Sequence, residues 1–415
     1  MKVLWITNII FPEVLQLLTG NCDFRVSGGW MLGAANALIR NQNVKLAVAT
    51  NTRLIKKLER LDVGNITYYL YPSGKANDKY YREDEKFWRY IKESFQPDIV
   101  HIHGTEYPHG LAYVNACGAE NVVVSIQGLI SIIANYYNYG LSNYDIISHF
   151  TCRDLIKGSL FKEKRSFRQR GKYEIELIQK VSHVIGRTSW DRDHIWAINP
   201  NSKYHFCNET LRTDFYEGQW NYDRCIPYTI FTSSASYPVK GFHQLLKAMP
   251  FILRKYPEAC IRVAGHFYPS ANFFQRMKMS GYANYLSDLI KKFGLDNHVT
   301  FLGPLTVSQM KEEYLKSNVF VCPSSIENSS NSLAEAQILS VPCVASYVGG
   351  LPSLMEGDEA HLYRFEDTEM LAYLVSDIFD GHFNYNMRGV AKKRHDPSVN
   401  LERLMEIYNM VHNEK

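Results

Sequence analysis

Residues 319–352 read VFVCPSSIENSSNSLAEAQILSVPCVASYVGGLP. The apolar run from Val319 to Cys322 leads into a loop rich in Ser and Asn, and an amphipathic segment follows from about Leu333 to Pro342. A second apolar run, Cys343 to Ser346, ends in Gly349-Gly350. This order predicts strand, loop, helix and strand, the βαβ unit of a parallel sheet. Such units bind ligands at the carboxyl ends of their strands, where a helix N-terminus offers N–H groups to anions. Glu327 and Glu335 flank the turn with seven residues between them, one in the loop and one in the first helical turn. Glu335 is placed to accept hydrogen bonds from ribose hydroxyls, while the amides of Ser330, Asn331 and Ser332 face a phosphate. The same residues support a plainer reading: Ser332-Leu-Ala-Glu335 has the spacing of a capping box, in which Glu335 only closes the helix N-terminus.

The stretch resembles the E-x7-E signature of retaining glycosyltransferases of family 4, followed by that family's strand and Val-Gly-Gly-Leu-Pro turn. The match runs almost continuously from Val319 to Pro352. It implies an α/β chain of the GT-B type: two doubly wound Rossmann-like domains, with a C-terminal helix crossing back to the first domain. It also implies transfer of a sugar, with retention and without metal, from a nucleotide-sugar to an acceptor hydroxyl. UDP-sugars are the commonest donors in the family. Glu327 would support the donor sugar, Glu335 the ribose and Lys240 the diphosphate. The backbone near Leu302, in Phe-Leu-Gly-Pro-Leu, would lie against the base.

At 415 residues the chain has room for two to three domains with their own cores. Hydrophobic residues make up 46% and charged residues 21%, which excludes a disordered chain. A net charge of +4 is too small to imply nucleic acid as a partner. The eight cysteines are scattered without a C-x-x-C pair, a pattern expected of a reducing, cytoplasmic compartment. No apolar run has the length of a membrane span, so the expected location is cytoplasmic, with peripheral contact at the inner membrane face.

Eleven apolar runs separated by helical spacers predict alternating strands and helices, too many for one sheet. The weakly periodic stretch from Asn208 to Pro227 is the expected break. The expected organisation is an acceptor domain over 1–210, a donor domain over 211–390, and a returning helix within 391–415.

Gly28-Gly29 follows the first strand and precedes a helical pattern from Met31 to Ile39. Paired glycines suit a plain tight turn, or a backbone that must approach a ligand closely. By resemblance they close over the donor diphosphate. Lys240-Gly241 opens a helix after the run Tyr228 to Thr232, where a lysine can offset charge on a departing diphosphate. The family carries an arginine six positions earlier. Ser234 stands there instead, and Arg187 or Arg212 is the candidate replacement.

The run from Ile99 ends at His103, with Glu106 close behind, and these two residues are the candidate acceptor-binding pair. Gln127 stands where the family more often has a histidine near the donor sugar. Its amide can bond a hydroxyl but cannot titrate. Asp191-Arg-Asp193 resembles a cation-binding D-x-D, yet it follows Thr188-Ser189, where acids suit a helix start. From Arg153 to Lys172 basic residues interleave with Leu155, Ile156, Leu160, Phe161 and Phe167. That pattern predicts a helix of the first domain able to dock on an anionic membrane, or a solvated face. The expected function is assembly of cell-surface polysaccharide or glycolipid on a carbohydrate or lipid-linked glycan acceptor, without a cofactor. The rival readings are a nucleotide-sugar binding module, or an epimerase or phosphorylase of the same fold.

Overall fold

Short Val- and Ile-rich runs with helical crossovers between them pair in parallel and are covered on both faces. The computed structural model describes residues 1–20, 29–40, 43–73, 78–265, 273–384 and 386–414. The chain forms two units. One comprises Met1–Ile132, Ser166–Arg212 and His395–Lys415; the other comprises Ile133–Arg165 and Thr213–Arg394.

Among the described residues, the first unit holds an eight-stranded sheet. Its strands are β1 (Lys2–Ile6), β2 (Lys45–Thr52), β3 (Glu59–Val63), β4 (Ile66–Pro72), β5 (Ile99–His103), β6 (Val122–Ser125), β7 (His183–Gly186) and β8 (Lys203–Phe206). They lie in the order β3-β4-β2-β1-β5-β6-β7-β8. Only β3 runs antiparallel to its neighbour, β4. Strand β1 sends Leu4 and Ile6 into one core layer and Val3 and Trp5 into the other, the two-residue period of a strand buried on both faces. The C-terminal helix Pro397–Asn413 belongs to this unit and buries Ile407, Tyr408 and Val411 in the layer of Val3 and Trp5. The Tyr408 hydroxyl accepts from Trp5 Nε1 at 2.9 Å and bonds His101 Nδ1 at 2.7 Å.

The second unit holds β9 (Thr229–Thr232), β10 (Cys260–Ala264), β11 (Val299–Gly303), β12 (Val319–Cys322), β13 (Cys343–Ser346) and β14 (Leu362–Tyr363), all parallel. Their order is β11-β10-β9-β12-β13-β14. Strand β12 alternates as β1 does, with Val319 and Val321 on one side and Phe320 and Cys322 on the other.

The structure departs from the sequence reading in three places. Strands β3, β8 and β14 were not among the eleven apolar runs, because β3 is half exposed, β8 is mostly polar and β14 has two residues. Residues 133–165 lie in the second unit instead of the first domain of 1–210. Leu141 and Leu160 pack against the second core, and Thr151 Oγ1 donates to the carbonyl of Met279 at 2.8 Å. The expected helix over 153–172 is two helices, Cys152–Lys157 and Leu160–Lys180, broken at Gly158, whose φ of +114° favours glycine. No helix among the described residues is long and apolar enough to cross a membrane.

Candidate active site

In a doubly wound sheet the crevice opens where the strand order reverses, beyond the carboxyl ends of the two strands that flank the reversal. In the second unit those strands are β9 and β12. Lys240 ends a short 3-10 turn, Pro238–Lys240, after β9, and Glu327 lies in the loop after β12. Lys240 Nζ donates to Glu327 Oε2 at 2.6 Å. Ser324 Oγ donates to the same oxygen at 3.2 Å. Burial opposes the ammonium charge, but the Glu327 carboxylate outweighs it, with Tyr237 adding to the effect. The Lys240 pKa is held well above its ordinary value. The lysine also stands beside the N-terminus of the helix Phe242–Leu253, where the dipole disfavours a cation and the carboxylate offsets that cost. The side chains remain 27% and 19% exposed, so a ligand can reach both.

Two glycines press these loops together. Gly241 has φ +67°, and a Cβ there would stand 1.6 Å from the Pro323 carbonyl oxygen. Gly349 has φ +54°, and its Cβ would stand 2.0 Å from the carbonyl oxygen of Glu327. The next amide, Gly350 N–H, donates to that oxygen at 2.9 Å. The Ser325 amide donates to the Val239 carbonyl at 2.8 Å, tying the Glu327 loop to the Lys240 turn. The Val-Gly-Gly-Leu-Pro turn thus holds Glu327 by its backbone.

The helix after the loop is Asn331–Ile338, and its N-cap is Ser330, whose hydroxyl accepts from Leu333 N–H at 3.3 Å. The capping-box reading of Ser332 and Glu335 therefore fails, because Ser332 is already inside the helix. Glu335 is its fifth residue and is 3% exposed. Asn331 and Ser332 occupy the first two helical positions, next to Ser330 and one loop from Glu327.

Ser234 sits in the loop after β9, where its Oγ accepts from the Ser236 amide at 3.3 Å. Leu302 lies in β11, partly buried against the core layer of Phe231 and Phe320. Gly28 lies outside the described residues, and Gly29 opens the helix Gly29–Ile39.

The first unit has its own reversal, between β1 and β5. A small cavity there is lined by Thr7, Asn8, His103, Gly104, Glu106 and Tyr107 among others, so both candidate acceptor residues reach it. His103 is buried, and desolvation pushes its pKa down to about 3, which keeps the ring neutral. Burial pushes the Glu106 carboxyl up to about 7; Glu174 adds to this, while Arg170 and Arg187 oppose it. Gly104, at φ +89°, leaves room for the Glu106 carboxylate to fold over its Cα. The His101 ring stacks on His103 with centroids 3.8 Å apart and bonds Ser125 Oγ and the Tyr408 hydroxyl.

Gln127 and Arg187 form a separate network. Arg187 Nη1 pairs with Glu209 Oε2 at 2.6 Å, and its Nη2 donates to the Ile126 carbonyl at 2.9 Å. Gln127 Nε2 donates to Glu209 Oε1 at 2.7 Å. The Arg187 charge is thus taken up by Glu209 in its own unit, which argues against its replacing the cation missing at Ser234. Glu209 and Glu174 escaped the sequence reading. Glu209 lies in the polar linker, and Glu174 lies mid-helix, where it accepts from Thr105 and Ser131 hydroxyls and two amides. Asp191 is fully buried in a capping box with Thr188, so its oxygens serve a helix start.

Residues 226–395 match the family Glycosyl transferases group 1. This is nearly the extent of the second unit from the linker onward. The D-inositol 3-phosphate glycosyltransferase of Corynebacterium urealyticum is 31% identical over 144 residues, 34% of this chain and 32% of that protein. Spore coat protein SA of Bacillus subtilis is 28% identical over 145 residues, covering 34% of this chain and 36% of that protein. The chain spans about a third of the length of the curated relatives it matches. Sucrose-phosphate synthase from Thermosynechococcus elongatus superposes over 100% of both chains with a TM-score of 0.68 at 14% identity. HepE of Anabaena, solved with UDP-glucose, superposes with a TM-score of 0.64 over 99% of this chain and 100% of that one, at 14% identity. These likenesses establish a two-domain α/β fold of the GT-B type.

Proposed function

We propose that the chain is a retaining glycosyltransferase that takes a sugar from a nucleotide-sugar, of the UDP class, and works without a metal ion or cofactor. The observation that carries this reading is the Lys240–Glu327 pair at the β9/β12 reversal, inside the segment that matches group 1 glycosyltransferases. The Lys240 ammonium has three donors, one of them engaged by Glu327, and it stabilises charge on the departing diphosphate. Glu327 accepts from donor-sugar hydroxyls and Glu335 from the ribose. The acceptor oxygen bonds the anomeric carbon on the face that the phosphate leaves, and its proton passes to the leaving phosphate. His103 and Glu106 line the acceptor pocket. The acceptor is a carbohydrate or lipid-linked glycan of cell-surface polysaccharide or glycolipid assembly, handled at the cytoplasmic membrane face. The test is incubation with a panel of nucleotide-sugars and polyprenol- or lipid-linked acceptors, following released nucleoside diphosphate. Release from one donor class is expected. Tight donor binding with no release from any donor would leave only a nucleotide-sugar binding module.

A further inference from the structure

Large apolar side chains are normally exposed singly, and a run of them held outward marks a surface that something covers. Between residues 143 and 161 of the second unit, Tyr144 is 79% exposed, Ile147 64%, Leu155 73% and Ile156 80%, with Phe150 and Phe161 also exposed. Tyr144 and Ile147 are three apart on the helix Asn143–Ser148, so they share a face. Leu155 and Ile156, neighbours on the helix Cys152–Lys157, are both held out to solvent.

Neither helix is loosely attached. Both start in complete capping boxes, Ser142 with Asp145 and Thr151 with Asp154. The Gly281 amide donates to Asp154 Oδ2 at 2.9 Å, and His149 Nε2 lies 3.2 Å from Asp288 Oδ2. Ile146 and Asp154 face inward as anchors. The fold builds a fixed platform and presents Leu155 and Ile156 to solvent from it.

The charges around the platform select its occupant. From 142 to 165 the chain carries Arg153, Lys157, Lys162, Lys164 and Arg165. Its three acids are held in local bonds: Asp145 and Asp154 in the caps, and Glu163 by the Tyr137 hydroxyl at 2.7 Å. Lys157, Lys162 and Arg165 are exposed, whereas none of the three acids is. We propose that this platform docks on an anionic lipid bilayer, with Leu155 and Ile156 entering the headgroup–acyl boundary and the basic residues meeting phosphate headgroups. The expected membrane surface over Arg153–Lys172 is thereby moved. Arg170 is buried, stacked on Phe167 and donating to the Glu106 carbonyl, and takes no part.

The test uses the full chain in sedimentation with vesicles of phosphatidylcholine alone or mixed with phosphatidylglycerol, at low and at high salt. Binding is expected only to the mixed vesicles and should weaken with salt. A Leu155→Ser/Ile156→Ser variant should lose on the order of 100-fold in partitioning, with an unchanged melting temperature because both residues are exposed. A Lys157→Gln/Lys162→Gln variant should lose roughly 30-fold. Absence of binding to the mixed vesicles at low salt, or equal binding by the serine variant, overturns the proposal. Concentration-dependent self-association that the serine variant abolishes, without vesicle binding, would overturn it in favour of a second copy of the chain. Vesicle binding is read without turnover, so its failure and that of the transferase reading are separate results.

Discussion

Lys240 donates to Glu327 at 2.6 Å across the point where the second sheet reverses its order. The lysine pKa is raised, so the stability Lys240 gains from its partner is fully present below lysine's unfolded pKa of about 10.4 while Glu327 stays ionised. It is lost as pH rises through the higher folded value. Lys240 should therefore contribute no limb to an activity profile between about pH 6 and 9. Lys240→Ala should cut kcat by about 100-fold or more, the usual effect of removing one charge-stabilising donor. Glu327→Gln should reduce turnover more than donor affinity. Steady-state kinetics paired with calorimetric donor binding separate the two effects.

Ser330 and Glu335 should behave differently when replaced. Ser330→Ala removes the N-cap and should lower stability by about 1 kcal/mol. Ser332→Ala leaves that cap intact and should change the melting temperature little. Glu335→Gln should mainly weaken donor binding, by roughly 1.5–3 kcal/mol for a lost charged hydrogen bond. Melting curves and titration with UDP decide between them; a Glu335→Gln that binds UDP and UDP-sugars normally would remove the ribose role.

Gly241→Ala and Gly349→Ala should each disturb the Lys240–Glu327 geometry. The added methyl meets backbone oxygen at 1.6 Å or 2.0 Å, and each position has positive φ. The cost should be about 1–3 kcal/mol in stability. Turnover should fall further than the melting shift accounts for, because the loops must separate. A control such as Gly381→Ala, also at positive φ but with open space around it, should lower stability without that excess loss of turnover.

Donor turnover should be the same in excess chelator as with added Mg²⁺ or Mn²⁺, since Lys240 and backbone amides supply the positive field. An absolute need for either ion would remove Lys240 from that role.

Glu106 should give the first unit a pH-dependent stability. Its carboxyl is raised from 4.5 to about 7, first by burial and then by Glu174. Between those values the folded state keeps a proton that the unfolded state releases, so stability falls as pH rises through the window. Glu106→Gln should flatten that fall in the melting temperature measured from pH 4 to 8.

Much of both sheets was legible from local pattern. The runs at Val319–Cys322 and His183–Gly186 are strands at the expected bounds, because two-residue alternation and Val/Ile content are set by neighbouring residues alone. Lys240 and Glu327 were also readable as candidates, since each follows an apolar run at a strand end. The bonding partners of Arg187 and the true N-cap were not. Arg187 meets Glu209 at the start of the polar linker, a helix and a strand further along the chain, and the Asn-Ser-Ser-Asn-Ser stretch offers several capping residues between which only geometry chooses.

The sequence by itself determined the alternation of strands and helices, the break near the linker at 208–227, and the residue types that bear charge at strand ends. Those properties reside in periodicity and turn chemistry over about ten residues. Only the tertiary structure decided that residues 133–165 leave the half of the chain that encodes them and join the second core, carrying Leu155 and Ile156 to its surface. It likewise brought Lys240 to Glu327 over 87 residues and raised the Glu106 pKa by burial. Contacts at such separations depend on which apolar surfaces pack together, and desolvation depends on what then encloses a group.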